Sequence, residues 1–597
     1  MNTRTSEPTD LNDEALRTRA VVCARGDAPF DYLITGGQIV DMVTSEIRAA
    51  DIGLVGPLIA SIHAPGQFIA AQKTIDATGK FITPGLIDSH MHVESSMVTP
   101  AIYAQTVVPR GVTTIVWDPH ELGNVLGKDG VKWAVDATRN LPLRALVLAP
   151  SCVPAAPGLE LSGADFDGTA MADILSWPEI AGVAEVMNMR GVINRTDRMT
   201  NIMQAGLASG KMVCGHARGL TGADLQAFMV AGVSSDHELT SNEDLLEKLR
   251  TGIHVEMRGS HDHLLPGFVK TLNELGFLPQ TLSLCTDDVF PDDLAQKGGL
   301  DDVVRRLVSY GMPAIWALRA ATLNAASRLG RADLGLIAAG KRADIAIFDD
   351  LENFVASHVF ANGKLAAQNG TLCEPAPAQN SAVLHNTMKI APLVSDDFRI
   401  RVEGNGSKAR LATIDQPRFT RWGEITANIG NGFVIPPEET TLIAVAHRHG
   451  RADSRPRVGL LTGWGKWRGA VCTTVSHDSH NLTVFGGNAE DMAVAANAVI
   501  AAGGGMAVAS DGKIDALLPL PLCGLLTDIS MGETAQQFAA IRAATDRIVD
   551  WNPPYLVFKA LFGATLACNV GPHQTDRGIA DVISDSVLET PVLEIIP

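Results

Sequence analysis

Residues 81–97 read FITPGLIDSHMHVESSM, and the fold turns on how this stretch is understood. An apolar run, 81–87, is interrupted by Pro84 and Gly85 and closes on Asp88-Ser89-His90-Met91-His92. In an extended strand, His90 and His92 stand two residues apart and project from the same face. Two imidazoles leaving one strand end together are the beginning of a divalent-metal site. Taken alone they fit a polar strand edge better, so the decision lies with the rest of the chain.

Seven further apolar runs lie downstream, at 113–117, 145–149, 180–187, 212–214, 232–235, 253–257 and 282–285, with helical patterns such as 223–231 and 242–250 between them. Eight strands alternating with helices over roughly 250 residues are the pattern of a (β/α)8 TIM barrel, an α/β fold whose chemistry gathers at the C-terminal strand ends. Polar residues recur at those ends. Asp118, His120 and Glu121 follow the second strand, Glu185 lies on the fourth, and His216 and Arg218 follow the fifth. His237 and Glu238 follow the sixth and Asp287 follows the eighth. Each has a bland explanation, such as a helix cap or a histidine satisfied by a carbonyl. Their joint recurrence favours a metal centre.

The flanks read differently. Residues 1–28 form a polar N-terminal arm with a short helical pattern, and 29–80 carry short strands with glycine turns, as in a small β-sandwich. Residues 374–378, EPAPA, read as a linker into a C-terminal α/β domain, 380–597. That domain has expected strands at 399–402, 442–445, 459–462 and 482–485 and a helix at 488–502 capped by Asn488. Its cluster Ser476-His477-Asp478-Ser479-His480-Asn481 reads first as a polar turn. A lid over the barrel, or a second metal site joined by His447 and His449, is the sharper alternative.

A chain of 597 residues exceeds what one core supports. With 46% hydrophobic and 19% charged residues it is globular rather than disordered. A net charge of −18 argues against nucleic acid or an anionic membrane as partner. No apolar run has the length of a membrane span, and the first twenty residues lack a signal-peptide centre. The eight cysteines form no Cys-x-x-Cys pair, which suits reduced thiols in the cytoplasm. A large apolar chain of this kind suits a homodimer or higher homo-oligomer.

The His-x-His, the single histidines after strands five and six and the aspartate after strand eight resemble the amidohydrolase superfamily. The segments PGLIDSHMHVESSM, VWDPHELGNV, GHARGL, SSDHE and LCTDDVFPDDL are similar to the bacterial adenine deaminases, and VSHDSHNLTVFGGNAEDM resembles the C-terminal domain of that family. The resemblance implies a barrel over 81–334 and a sandwich of 29–80 completed by 335–375. It implies two divalent cations, Mn2+ ahead of Fe2+ or Zn2+, on His90, His92, Glu185, His216, His237 and Asp287. Glu185 stands where many superfamily members carry a carboxylated lysine. The same exchange occurs in some single-metal deacetylases, so the metal count stays open. The implied reaction is hydrolytic deamination of adenine to hypoxanthine and ammonia, a step of purine salvage. Asp287 would take the proton of the attacking water and His237 would orient that water. Asp118, His120, Glu121 and Arg218 would read the base from the pocket mouth, with Glu121 protonating a ring nitrogen. Helix capping by Asp118 before Pro119 is an equally good account of that residue. Arg218 and Glu238 would support neighbouring ligands, and Arg258 and Ser260 are lesser candidates for substrate contact. The His-x-Glu with Pro-Cys-x-x-Cys signature of zinc nucleobase deaminases is absent. Rival readings are an N-acetyl-amino-sugar deacetylase, a cyclic amide hydrolase, or a catalytically dead homologue serving in assembly.

Overall fold

The computed structural model describes residues 11–417, 419–550, 561 and 563–597. Eight parallel strands organise its centre. We label them β1 (Leu86–Met91), β2 (Val112–Trp117), β3 (Arg144–Ala149), β4 (Ile180–Val186), β5 (Met212–Gly215), β6 (Ser235–Asp236), β7 (His254–Arg258) and β8 (Leu282–Cys285). The first five form one sheet in the order β5-β4-β3-β2-β1, and the last three form another. The sheets curl toward each other at both ends. Ser234 N–H donates to Val213 O at 3.0 Å on one side, and Asp287 N–H donates to His90 O at 3.1 Å on the other.

The period of two along a strand decides what each face buries. Val116, Leu146 and Leu148 pack with Cys214 and with Ala325, Ala326 and Leu329. Their neighbours Ile115, Trp117 and Val147 join the large core shared with the surrounding helices. β6 is shorter than the run at 232–235 suggests. Gly232 has φ +115°, and only Ser235 and Asp236 reach strand geometry.

The opening stretch serves two sheets. Phe81–Pro84 pairs antiparallel with Ile345–Phe348, in a seven-stranded sheet that also holds Gln38–Val40, Ala356–Ala361 and Lys364–Gln368. Four strands within 30–76 form a second sheet, and Ile34, Ile52, Leu54, Ile82, Ile345 and Phe360 fill the core they share. At Gly85 the chain crosses to β1. A Cβ there would lie 2.2 Å from Thr113 Oγ1, so the crossing requires glycine. Within the expected arm, Glu14–Ala24 is a helix capped by Asp13, and it packs Ala20 and Cys23 against Phe30 and Val55. The arm's first ten residues lie outside the described ones.

The C-terminal part departs from the expected strand–helix alternation. It is a largely antiparallel ten-stranded sheet with one parallel pairing, Lys408–Asp415 beside Arg457–Thr462. The long helices Ala489–Ala501 and Met531–Ile548 come late, and Asn488 caps the first by accepting from Asp491 N–H. Residues 399–402 form no strand. A 3-10 turn, Ser395–Phe398, leads into them, and only Arg401 makes an isolated bridge, to Phe433. Their alternating apolar pattern reflects burial of Ile400 and Val402 rather than a full ladder. Among the described residues, no helix is long and apolar enough to cross a membrane.

His254, at the start of β7, is buried with Nε2 2.9 Å from Ser283 Oγ. Burial, then the Arg328 charge, pushes its imidazole down to about 3. It is neutral when folded but takes a proton when unfolded below about pH 6.5, so its stabilising contribution is full above that pH and is lost as pH falls toward 3. Metal-free His254→Gln is expected to lose about 1 kcal/mol less than wild type between pH 6 and 5 in urea unfolding. Identical slopes would refute this role.

Candidate metal centre

His90 and His92 leave the end of β1 as the spacing predicts, and four further strand ends meet them. Glu185 occupies the middle of the group. Its Oε1 faces His92 Nε2 at 3.5 Å and His90 Nε2 at 3.9 Å, while its Oε2 faces His216 Nδ1 at 2.8 Å and His237 Nε2 at 3.3 Å. Asp287 Oδ1 closes the first side, 3.6 Å from His90 Nε2 and 3.4 Å from His92 Nε2. All six side chains are buried. Asp287 has φ 59°, in the left-handed region that Asp and Asn tolerate better than most residues.

The network behind these groups fixes their direction. His92 Nδ1 lies 3.0 Å from Asp118 O, which leaves Nε2 to face the centre. Asp236 Oδ1 accepts from Ala217 N–H at 2.5 Å and Glu238 N–H at 3.2 Å, tying together the turns that carry His216 and His237. Arg258 Nη1 donates to Asp287 Oδ2 at 2.6 Å and also pairs with Glu238, which takes Arg218 Nη1 at 2.6 Å. Arg258 is thus an anchor of Asp287, a role the sequence reading did not assign. Its position after a strand end was the available signal.

Charge follows this geometry. Burial opposes ionisation of Glu185, but hydrogen bonding from His216 and His237 carries its pKa well below the usual carboxylate range. Burial likewise works against Asp287, and the Arg258 charge, then His90 and His92, take it well below the usual value. Glu121 behaves oppositely, because burial pushes its carboxyl up.

Asp118, His120 and Glu121 are not at an open mouth. Their side chains are almost fully buried, because residues 477–480 of the C-terminal part cover them. Asp118 Oδ1 accepts from His120 N–H at 3.0 Å, as a helix cap does, and Oδ2 lies 3.1 Å from His120 Nδ1. His480 Nε2 is 3.5 Å from Glu121 Oε2. Arg218 is partly exposed and bound to Glu238, beside His216 rather than beside Glu121. Ser260 Oγ reaches Asp287 Oδ2 at 3.3 Å. Of these two histidines, His449 reaches the 477–480 turn while His447 pairs with Asp576. His447 Nδ1 faces Asp576 at 3.4 Å, and His449 Nε2 lies 2.8 Å from Ser479 O.

Imidazoles and carboxylates converging at the ends of parallel strands define the amidohydrolase class, and residues 81–366 match the amidohydrolase family model. Residues 417–586 match the adenine deaminase C-terminal domain. The chain is 68% identical over 588 residues to adenine deaminase 2 of Rhizobium meliloti (strain 1021), covering 98% of this chain and 99% of that one. It is 53% identical to the adenine deaminase of Klebsiella pneumoniae subsp. pneumoniae, over 96% of each chain. It is 38% identical to that of Moorella thermoacetica, over 95% of this chain and 97% of the other. The chain belongs to the adenine deaminase family of amidohydrolases.

Amidohydrolases imply a binuclear divalent metal centre, and the donors present fit one. His90 Nε2 is buried with no hydrogen bond, His92 offers Nε2, and the Glu185 oxygens divide between two imidazole pairs.

The scaffold beneath depends on Lys248, fully buried and paired with Asp236 Oδ2 at 2.7 Å and Asp244 Oδ1 at 3.1 Å. Lys248→Met leaves two buried carboxylates without their cation. It is expected to lower unfolding free energy by about 3–5 kcal/mol in chemical denaturation. A loss under about 1 kcal/mol would show that the pair is solvated.

Proposed function

We propose that this chain hydrolyses adenine to hypoxanthine and ammonia at a binuclear centre. The carrying observation is the Glu185 carboxylate set between His90 with His92 and His216 with His237, in a chain similar along its length to adenine deaminases. The hydrogen bonds at both seams of the parallel sheets support closure into a (β/α)8 barrel over 86–334, because 81–84 pair in the flanking sheet instead. A sandwich of 29–84 with 335–375 and a C-terminal domain of 380–597 flank it. A deacetylase or an inactive homologue is disfavoured by the family match and by the complete donor set.

His90, His92, Glu185, His216, His237 and Asp287 would hold the cations. Imidazole and carboxylate donors without thiolate suit Mn2+, with Fe2+ and Zn2+ as alternatives. When bound, the cations supply water acidified toward neutral pH. Asp287 would accept a proton from the attacking water and pass it to the departing amine. Arg258 keeps that carboxylate in place through Oδ2 while Oδ1 faces the histidines. His237 helps orient the attacking water. Glu121, its carboxyl raised by burial, holds a proton to donate to a ring nitrogen, and Asp118 and His120 line the same wall. Arg218 steadies Glu238 beside His216 and His237. One water enters and one ammonia leaves: one proton of the water goes by Asp287 to the amine, and the other, lost from O6 as the C6–N bond breaks, would restore the Glu121 carboxyl that protonated the ring. Eight unpaired cysteines suit a place in cytoplasmic purine salvage.

Metal-loaded protein is expected to release ammonia from adenine but not from adenosine, and to leave N-acetylglucosamine 6-phosphate untouched. Ammonia from adenosine, or acetate from the amino sugar, would overturn the substrate assignment. Glu185→Gln is expected to lose about two metal ions per chain by elemental analysis. Unchanged metal content would remove Glu185 from the ligand set. Asp287→Asn suits the left-handed backbone and is expected to keep the fold while kcat falls by about 100-fold or more. A kcat close to wild type would end its role as base.

A further inference from the structure

The turn Ser476-His477-Asp478-Ser479-His480-Asn481 belongs to the C-terminal sheet, yet it meets the barrel at His120. Asp478 Oδ1 lies 3.5 Å from His120 Nε2 and 3.4 Å from His477 Nδ1. All three donor atoms fall within 4.8 Å of one another. These separations exceed the normal N–H···O range of about 2.7–3.2 Å. They match the spacing of ligand atoms around one cation, since donors about 2.1 Å from a tetrahedral centre lie about 3.4 Å apart. The Glu185 cluster shows similar values, 3.3–3.6 Å for four of its histidine–carboxylate pairs.

The chemistry of His120 points the same way. Its Nδ1 lies 3.1 Å from Asp118 Oδ2, as an N–H donor to that carboxylate. Its Nε2 faces a second carboxylate, Asp478, at 3.5 Å. That atom is buried and has no hydrogen bond. A proton or a cation must lie between this nitrogen and the carboxylate, and a 3.5 Å gap is long for N–H···O but fits two ligands of one cation. Carboxylate, imidazole and cation in line is the usual support of a metal-bound histidine.

We propose that His120, His477 and Asp478 hold a further divalent transition-metal ion, distinct from the centre at Glu185 and linking the barrel to the C-terminal sheet. Two imidazoles and one carboxylate favour Mn2+, Fe2+ or Zn2+ over Mg2+ or Ca2+. The turn is anchored for this duty. Thr565 Oγ1 donates to His477 O at 2.8 Å, Ser476 Oγ lies 2.9 Å from the same hydroxyl, and Asn481 Nδ2 donates to Leu161 O at 2.8 Å.

The test is anomalous diffraction from crystals of the full chain grown with Mn2+, paired with elemental analysis of wild type, Asp478→Asn and His477→Ala. The expected map has a peak bounded by His120 Nε2, His477 Nδ1 and Asp478 Oδ1, apart from any at Glu185. Each variant is expected to bind one ion fewer than wild type. A map with peaks at Glu185 and none at this cluster would overturn the proposal whether or not the variants fold. So would folded variants with unchanged metal content. A peak here with none at Glu185 would uphold this site while sinking the binuclear reading.

Discussion

The geometry of the centre depends on one carboxylate divided between two directions. Glu185 turns one oxygen to the β1 histidines and the other to the histidines after β5 and β6. Four imidazoles crowded into a buried space repel one another once protonated and leave their lone pairs unsatisfied when neutral. An anionic group in their midst answers both conditions. Burial alone would hold Glu185 protonated, and it is the surrounding imidazoles that keep it charged.

Much of the remaining structure keeps these groups from relaxing. Asp236 ties the β5 and β6 turns through backbone N–H groups, and the buried Lys248 neutralises it from below. Arg258 spans Glu238 and Asp287, so strand ends six, seven and eight share one charge network. Strain at Asp287 is concentrated where the neighbouring contacts are strongest, as is common where a polar group is aimed rather than packed.

The strand ends that carry the candidate ligands were legible because apolar runs of three to eight residues recur before them, and the parallel-strand rule says where reactive side chains fall. Gly85 was visible as an interruption, but not as the crossing between two sheets, since the steric reason lies in Thr113. The C-terminal sheet was misread because alternating strands and helices were assumed where hairpins follow one another. Contacts such as Asp478 with His120 and His480 with Glu121 join positions more than 350 residues apart. No local period or spacing carries that information.

His480 pressed on Glu121 gives the C-terminal sheet a say over acidity in the barrel. Glu121 resists ionisation because water is kept from it, and His480 is part of that cover. Burial pushes this carboxyl up, while the His477 charge on the same turn draws it down. Glu121 is thus enclosed from both halves of the polypeptide, by the barrel that carries it and by the C-terminal turn that covers it.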